Sequence, residues 1–171
     1  MELIRMKADE FSSIYAEMEK NFPREEIRDF SPALALVEGE EKYQIYHVVD
    51  TDKVGFLAVW GLDEGAFIEH FVVYEKYRNC GYGGKALRLA KEKFGALVLE
   101  AEPPETEMAK RRIGFYQRNG FTVNPEFYLQ PSYRGEGEEV ELVLMSCPNR
   151  LSDFKGTVKQ IYTLVYKKEV R

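Results

Sequence analysis

The sequence is short of cysteine and histidine, and these shortages exclude several kinds of site. Cys80 and Cys147 are the only cysteines among the 171 residues, too few for a disulfide framework or a cysteine-rich zinc site. His47 and His70 are the only histidines, so a histidine-rich zinc site is excluded and we expect no metal. No apolar run resembles a signal peptide or is long enough to span a bilayer. We therefore expect a reduced, cytoplasmic enzyme or binding domain that does not associate with a membrane.

Basic residues are also fewer than acidic ones: the sequence has 24 lysines and arginines and 29 aspartates and glutamates, which gives a net charge of −5. Proteins that bind duplexes usually carry a basic surplus, so nucleic acid is not expected as the main partner. A negative net charge favours a cationic substrate over an anionic one. Hydrophobic residues make up 44% and charged residues 31%, which is typical of a soluble globular protein.

The hydrophobic pattern of the first half predicts a strand, two helical segments and a meander. Residues 3–7 alternate in polarity, as in a strand, whereas residues 10–22 place apolar side chains three and four positions apart, as in an amphipathic helix. A second short helical segment starts at Pro23, runs through Ile27 and is expected to end before Ser31 and Pro32. Apolar stretches within residues 43–73, joined by polar turns, predict an antiparallel meander of three strands.

The second half alternates helices and strands. Its predicted elements are a helix after Gly84, a buried strand at Ala96–Glu102, a helix from Thr106 to about Asn119, extended segments within residues 121–130, a strand near residues 139–145 and a C-terminal helix at about residues 149–168. There is no internal repeat or linker. The order indicates one α+β domain, residues 1–171, around a mixed, mostly antiparallel sheet of about six to seven strands flanked by helices.

The stretch YRNCGYGGKALRLAKEKF, Tyr77–Phe94, places three glycines between a predicted strand and a predicted helix. The first backbone amides of a helix have no partner within it, and the helix dipole adds positive potential behind them. Glycine lets an anion approach these amides without meeting a Cβ, so Gly83→Val is expected to block a bound phosphate. Arg78 and Lys85 flank the glycines and add charge. The stretch predicts an anion-binding turn, although such glycines also occur in simple strand-to-helix corners.

Two common phosphate-binding motifs do not fit this turn. A Walker loop needs serine or threonine after its lysine, but Ala86 follows Lys85. The dinucleotide fingerprint fails because Gly81 and Gly83 are followed by Ala86, and because the flanking strands are predicted to be antiparallel. A nucleotide- or phosphate-binding domain without acyl transfer stays open as an alternative.

A second motif, RRIGFYQRNGF at Arg111–Phe121, ends a predicted helix at Gly120. Taken alone, its Tyr116 is typical of a core aromatic residue. Together with Arg78–Gly83, which fits the pattern R/Q-x-x-G-x-G/A, it resembles the Gcn5-related N-acetyltransferase (GNAT) superfamily, whose second motif is Y-x-x-x-G-F. The resemblance extends over about 140 residues, Leu3–Met145, and implies the acyl-CoA N-acyltransferase fold.

The resemblance implies acetyl-coenzyme A (acetyl-CoA) as the cofactor. In this family the glycine turn holds the pyrophosphate, and the end of the preceding strand pairs with the pantetheine arm in a slot that a bulge opens. The residues at the matching positions are Phe71, Val72, Val73, Arg78, Asn79, Cys80, Gly81, Tyr82, Gly83, Gly84 and Lys85, together with Arg112 and Tyr116. Many relatives have an asparagine where this chain has Ala109, and we expect Arg112 to take over part of its role.

The resemblance also implies direct attack of a primary amine on the acetyl thioester. Tyr116 lies at the family's position for the proton donor to the thiolate, and the backbone N–H of about Val73 at that of the oxyanion donor. We expect Glu69 to be the base, because it lies on the strand leading to the slot with the same side-chain direction as Phe71. His70 points to the other side of a regular strand, and a chain of waters is a further alternative.

The acceptor side of the site is less defined by the sequence. Glu100 and Glu102 lie at the end of the buried strand near the slot, and residues 128–139 form a candidate lid with Tyr128 and Tyr133. Carboxylates with aromatic rings suit a cationic amine, but an ordinary exposed loop is equally compatible. The candidate acceptors are a polyamine-like or antibiotic-like small molecule, an amino acid or a peptide terminus. The alternative function is a non-catalytic acyl-CoA sensor of the same fold, and the C-terminal helix offers a surface for a homodimer.

Overall fold

The structure is a computed structural model that describes residues 1–134 and 139–169 of the chain. Within these residues there are eight strands: β1 (Glu2–Arg5), β2 (Tyr43–Val49), β3 (Lys53–Gly61), β4 (Ala66–Val73), β5 (Leu97–Ala101), β6 (Thr122–Val123), β7 (Tyr128–Gln130) and β8 (Val140–Cys147). The same residues form five α-helices: α1 (Phe11–Asn21), α2 (Phe30–Gly39), α3 (Tyr82–Phe94), α4 (Glu107–Arg118) and α5 (Phe154–Ile161), which a π-helical turn (Tyr162–Tyr166) extends. None of the helices in this part of the chain combines the length and the apolar character that crossing a membrane requires.

The strands follow the order β1-β2-β3-β4-β5-β8-β6, with β7 paired to β8. Among the described strands, only β4 and β5 run parallel to each other. The sheet is therefore mixed and mostly antiparallel, with helices against it, and the predicted α+β class is confirmed. Eight strands are present rather than six to seven because β6 and β7, of two and three residues, both pair with β8.

The helix α2 is absent from the sequence-based prediction, which ends helical structure before Pro32. That boundary is wrong because Pro32 lies in the first turn of α2, which begins at Phe30. The first backbone N–H groups of a helix have no acceptor within it, so the N–H that proline lacks is not needed there. Asp29 precedes the helix with an extended backbone, and the segment after Pro23 forms only a 3₁₀ turn, Arg24–Glu26.

The sheet separates two apolar cores. One core contains Phe11 of α1, Trp60 of β3 and Ile161 of α5, all fully buried. The other contains Leu87 of α3 and Ile113 of α4, packed against side chains from the opposite face of the same strands. Because β4 and β5 lie in the middle of the sheet, the gap between them is enclosed by both layers of helices.

The strands β4 and β5 separate after a short parallel ladder. Their last pair joins Ile68 to Leu99, and neither strand ends there. On the side of β3, the register of β4 shifts between the pairs made by Ile68 and His70, which leaves Glu69 as an extra residue in a β-bulge. The bulge bends β4 away from β5 and opens a slot between the two strands.

The bulge also changes which way the side chains of β4 point. Glu69 contacts Arg28 and His70 packs on Phe22, so both side chains face the layer of α1 and α2. Phe71 packs against the opposite core. The prediction that His70 points away from Glu69, and that Glu69 shares the direction of Phe71, is therefore wrong. It assumed a regular strand, and an inserted residue reverses the alternation.

Candidate active site

The slot opens into a cleft of about 1110 Å³. Its walls come from the separated halves of β4 and β5, from the segment after α1, from Tyr116 of α4 and from residues 130–134. The cleft is thus formed where the sheet is no longer hydrogen-bonded, and it exposes backbone groups of β4 as well as side chains. Such a concave site with converging polar groups is the expected place for a ligand.

The glycine turn lies at one end of the cleft, where α3 begins. Gly81 precedes α3 with a φ of +78°, and Asn79 also has a positive φ of 62°. The first helical hydrogen bond of α3 runs from the Lys85 N–H to the Gly81 carbonyl at 3.3 Å. The backbone N–H groups of residues 79–84 donate no hydrogen bond to any other described residue. Six unpaired donors at a helix N-terminus form a cradle for an anion.

The glycines of this turn are required for different structural reasons. A Cβ on Gly83 would lie 3.0 Å from Cζ of Phe115, and one on Gly84 would lie 2.8 Å from Oδ1 of Asn119. Both positions therefore let α3 pack closely against α4. A side chain at Gly83 would point toward Phe115 and not toward a bound phosphate, which corrects the expectation that valine at this position blocks the phosphate directly. At Gly81 a Cβ would meet nothing within 4 Å, and the positive φ is what requires glycine there.

Arg78 connects the turn to the cleft. Its Nε donates to the Val73 carbonyl at 3.1 Å and its Nη2 donates to Oδ1 of Asn21 at 2.5 Å. These bonds hold an exposed guanidinium between the end of β4 and the end of α1. The Lys85 ammonium lies 5.5 Å from the Tyr82 ring centroid, on the outer side of the turn. A separate depression of about 450 Å³ is lined by Lys85 and by three further basic residues, Arg88, Lys91 and Arg118.

The end of β4 offers its backbone to the cleft. The Tyr74 N–H donates to the Val54 carbonyl of β3 at 2.9 Å. In an antiparallel ladder the N–H groups of successive residues point to opposite sides, so those of Phe71 and Val73 point away from β3 and into the slot. The N–H of Val72 points toward β3 for the same reason. The exposed edge of β4 can therefore pair with an extended, amide-bearing ligand.

Tyr116 reaches the cleft from α4. Its ring packs on Phe115 and Phe121, with centroids 5.3 and 5.6 Å away, and burial raises the pKa of its hydroxyl. No hydrogen bond to this hydroxyl occurs in the described ranges of the chain. A hydroxyl held in this way keeps its proton at neutral pH and stays available to a ligand.

Glu69 is held in an ion pair at the back of the cleft. Its Oε1 accepts from Arg28 Nη1 at 2.6 Å, and Arg28 Nη2 donates to the Val165 carbonyl at 2.7 Å. Burial acts to raise the pKa of Glu69, but Arg28 and His70 outweigh it and lower the pKa to about 2. His70 lies with Nδ1 3.6 Å from Glu69 Oε2 and with Nε2 3.0 Å from the Glu26 carbonyl. Both ring nitrogens thus face protein acceptors.

Glu100 has the opposite environment. Its carboxylate accepts hydrogen bonds from the Tyr128 hydroxyl, from Gln130 Nε2 at 2.7 Å and from the Tyr166 hydroxyl at 2.8 Å. Within the described residues, no lysine, arginine or histidine nitrogen lies within 4.0 Å of this carboxylate. Burial raises the pKa of Glu100 to about 7 against the effect of these hydrogen bonds, and the Glu69 charge adds to the rise.

The other predicted positions lie around the cleft. Arg112 is exposed on its wall, with Nη1 3.8 Å from Glu102 Oε2, whereas Ala109 lies on the buried face of α4. Cys80 is exposed and its thiol donates to the Arg78 carbonyl at 3.4 Å. In the candidate lid, Tyr128 and Tyr133 are packed inward, and residues 135–138 lie outside the described residues.

Sequence reasoning missed Arg28 and Tyr166 as parts of the site. Arg28 and its partner Glu69 are 41 residues apart in the sequence, and Tyr166 and its partner Glu100 are 66 residues apart. No local pattern marks contacts over such separations. The one available signal was the odd Glu100 in a strand that is otherwise apolar, which indicates a buried carboxylate in need of partners.

Comparison with known proteins places this geometry in a family. Residues 41–123 match the acetyltransferase (GNAT) domain family. A solved structure of a protein assigned to the GNAT family of acetyltransferases from Bacteroides thetaiotaomicron is 32% identical, covers 99% of this chain and 100% of its own, and superposes with a TM-score of 0.90. The Bacillus subtilis protein YjbC, assigned as an acetyltransferase, is 31% identical over 109 residues. The match covers 63% of this chain, and the chain spans 55% of the length of that curated relative.

A more distant structure shares the fold. The ribosomal-protein-S18-alanine N-acetyltransferase from Escherichia coli is 15% identical, with 90% of this chain and 96% of that chain covered and a TM-score of 0.58. At this identity the likeness concerns the arrangement of the elements alone.

Proposed function

Since the chain belongs to the GNAT family of acetyltransferases, we propose that it transfers an acetyl group from acetyl-CoA to a primary amine of a small molecule or peptide. The observation that supports this proposal best is the row of six backbone amides of residues 79–84, which find no acceptor in the described part of the chain, beside a slot opened by a β-bulge. One feature suits a diphosphate and the other suits an extended amide chain. Their combination along one cleft fits coenzyme A.

The residues present fit the cofactor at each of its parts. The amides of residues 79–84 can hold the diphosphate, with charge added by Arg78 and Lys85. The N–H groups of Phe71 and Val73 can pair with the pantetheine amides as a neighbouring strand does. This arrangement directs the thioester toward Tyr116, which lines the same cleft.

The chemistry requires a free amine, a donor to the developing oxyanion and a proton for the departing thiolate. The amine lone pair forms the new C–N bond, and the C–S bond breaks as the carbonyl re-forms. The Val73 N–H is positioned as the oxyanion donor, and Tyr116 donates its proton to sulfur and regains one from the nitrogen. The nitrogen loses two protons and sulfur gains one, so the reaction releases one proton to a base. For this base the sequence names Glu69, and the structure adds Glu100 in the same cleft.

The first experiment measures coenzyme A binding by titration calorimetry. We expect Arg78→Ala to weaken binding about tenfold, the size of one charge-assisted contact, with the free energy of unfolding nearly unchanged. Arg150→Ala, an exposed arginine outside the cleft, is the matched control. Equal affinity of the wild type for ATP and coenzyme A would indicate a general phosphate-binding domain and contradict the proposal.

The second experiment measures release of free thiol from acetyl-CoA with a panel of amines. Tyr116→Phe removes only the hydroxyl, so it should reduce kcat by about tenfold to a hundredfold and leave coenzyme A affinity unchanged. If the wild type binds coenzyme A but acetylates no amine, the chain is an acyl-CoA sensor rather than an enzyme.

A further inference from the structure

The acceptor end of the cleft contains a carboxylate, that of Glu100, which has no cationic partner among the residues that the structure describes. Glu100 and Glu69 lie close enough for the charge of one to raise the pKa of the other, yet only Glu69 has an arginine beside it. Resting on the proposed acetyltransferase function, we propose that Glu100 binds the ammonium group of the acceptor and takes its first proton. We further infer from the surrounding charges that the acceptor is a cationic primary amine without a carboxylate.

The contacts of Glu100 orient it without neutralising it. Its donors are two phenol hydroxyls, of Tyr128 and Tyr166, and the Gln130 amide, all of which are uncharged. They fix the carboxylate at the wall of the cleft while its negative charge stays uncompensated. A substrate ammonium supplies the missing positive charge. Glu69 is less suited to this role, because the Arg28 guanidinium at 2.6 Å already neutralises its charge.

The groups facing Glu100 come from four elements. They are Glu69 from β4, Tyr128 from β7, Tyr133 from the segment after β7, and Tyr162 and Tyr166 from the π-helical turn. The Tyr133 and Tyr166 rings are 5.0 Å apart. Aromatic rings around a carboxylate favour an ammonium group, which their faces attract, over a neutral amine. All five groups are neutral or negative, so none of them neutralises Glu100. The Arg28 guanidinium, 4.6 Å from the Tyr133 ring centroid, is paired with Glu69.

The cations of the cleft leave no counter-ion for a substrate carboxylate. Four lysine and arginine side chains among the described residues line the cleft, and three of them pair with protein carboxylates. These pairs are Lys20 with Glu17 at 2.7 Å, Arg112 with Glu102 at 3.8 Å and Arg134 with Asp29 at 3.0 Å. The fourth, Arg78, bonds to Val73 and lies at the end of the glycine turn. A carboxylate on the acceptor would therefore meet Glu100 and the half-buried Glu26 without compensation, which disfavours amino acids.

The proton transfer balances without any further reactant. The ammonium gives one proton to the Glu100 carboxylate, which becomes a neutral acid, and the lone pair left on nitrogen attacks the thioester carbonyl. After the product leaves, Glu100 returns the proton to water. Because this path needs an ionised Glu100 and a protonated free amine at the start, kcat/KM should rise with pH along the titration of Glu100 and fall again near the pKa of the amine.

The test uses matched amines that differ only in a carboxylate: cadaverine against lysine, and tyramine against tyrosine. We expect the wild type to acetylate cadaverine and tyramine with kcat/KM at least about tenfold higher than their carboxylated counterparts. Over pH 5.5–9, kcat/KM for cadaverine should rise through a limb near pH 7, the pKa of Glu100. Glu100→Gln should lack this limb and lose about a hundredfold in kcat/KM at pH 7.5.

Two further variants separate chemistry from structure. Tyr128→Phe removes one hydrogen bond that lowers the pKa of Glu100, so the acidic limb should move to higher pH. A merely structural role of Glu100 would leave the limb in place. Glu141→Gln makes the same change at an exposed glutamate of β8 outside the cleft, and its activity should equal that of the wild type.

The outcomes also distinguish this inference from the function on which it rests. Equal use of lysine and cadaverine overturns the selection of carboxylate-free amines, and an acidic limb that persists in Glu100→Gln overturns the role of Glu100. In both cases the acetyltransferase activity itself stands. If none of the four amines is acetylated and coenzyme A does not bind, the proposed function fails first.

Discussion

Replacing Glu100 by glutamine should stabilise the protein at alkaline pH, and the size of the effect follows from its pKa. Burial raises the pKa of Glu100 from its ordinary 4.5 to about 7. Between these values the folded state keeps a proton that the unfolded state has lost. The free energy of unfolding of the wild type therefore falls as pH rises from 4.5 to 7, and the loss is complete above pH 7. At about 1.4 kcal/mol for each pH unit between these two pKa values, the free energy of unfolding falls by about 3 kcal/mol in total.

Glutamine carries no titrating proton, so Glu100→Gln does not suffer this loss. We expect the variant to gain about 3 kcal/mol relative to the wild type between pH 4 and pH 8. Urea unfolding at a series of pH values, followed by circular dichroism, measures the difference directly. Other carboxylates titrate in both proteins and cancel in the comparison. Glu141→Gln is the control and should show no pH-dependent difference. A difference between Glu100→Gln and wild type that is the same at pH 4 and pH 8 would refute the assigned proton affinity.

Further changes test other parts of the site by the same urea unfolding. Arg28→Met should cost about 3–5 kcal/mol because it leaves the Glu69 carboxylate buried and unpaired. Adding Glu69→Gln should recover part of that loss, and no recovery would contradict the ion-pair account. As pH falls from 4.5 to 2, protonation of Glu69 in the folded state should contribute a loss of about 3 kcal/mol that is present in the wild type and absent from Glu69→Gln. Gly83→Val should lower the free energy of unfolding by about 1–3 kcal/mol, because the new side chain would collide with Phe115. Adding Phe115→Leu should recover part of this loss, and no recovery would show that the collision is not its cause.

The parts of the site that the sequence predicts are those made by contiguous residues. The glycine turn follows from local rules, because three glycines at a strand-to-helix junction leave helix amides open whatever the rest of the chain does. The amphipathic helices and the meander follow from periodicity in the same way. The helix α2 is not predicted in this way, because a proline usually marks the end of a helix, whereas Pro32 lies in a first turn, where proline is compatible with a helix.

The acceptor end of the cleft depends on contacts that have no local signature. Whether Glu69 or Glu100 is neutralised is decided by Arg28, which reaches one carboxylate and not the other. A bulge of a single residue then sets the direction of His70. Alternation in the sequence cannot reveal either feature, since both depend on how distant elements pack on β4. The prediction of Glu69 as the base followed from its position on the strand, and its partner became visible only in three dimensions.

The contrast between the two carboxylates has a physical consequence for the whole domain. Glu69 has a counter-ion, so its ionised form stabilises the fold, whereas the ionised form of Glu100 costs about 3 kcal/mol out of the roughly 5–15 kcal/mol available to a typical domain. Glutamine at this position could still accept hydrogen bonds from Tyr128 and Tyr166, so packing alone does not require an acid. A missing counter-ion raises the affinity of a carboxylate both for a proton and for an ammonium group. The instability at alkaline pH and the recognition of a cationic amine therefore have one cause, and a variant that removes the first should remove the second.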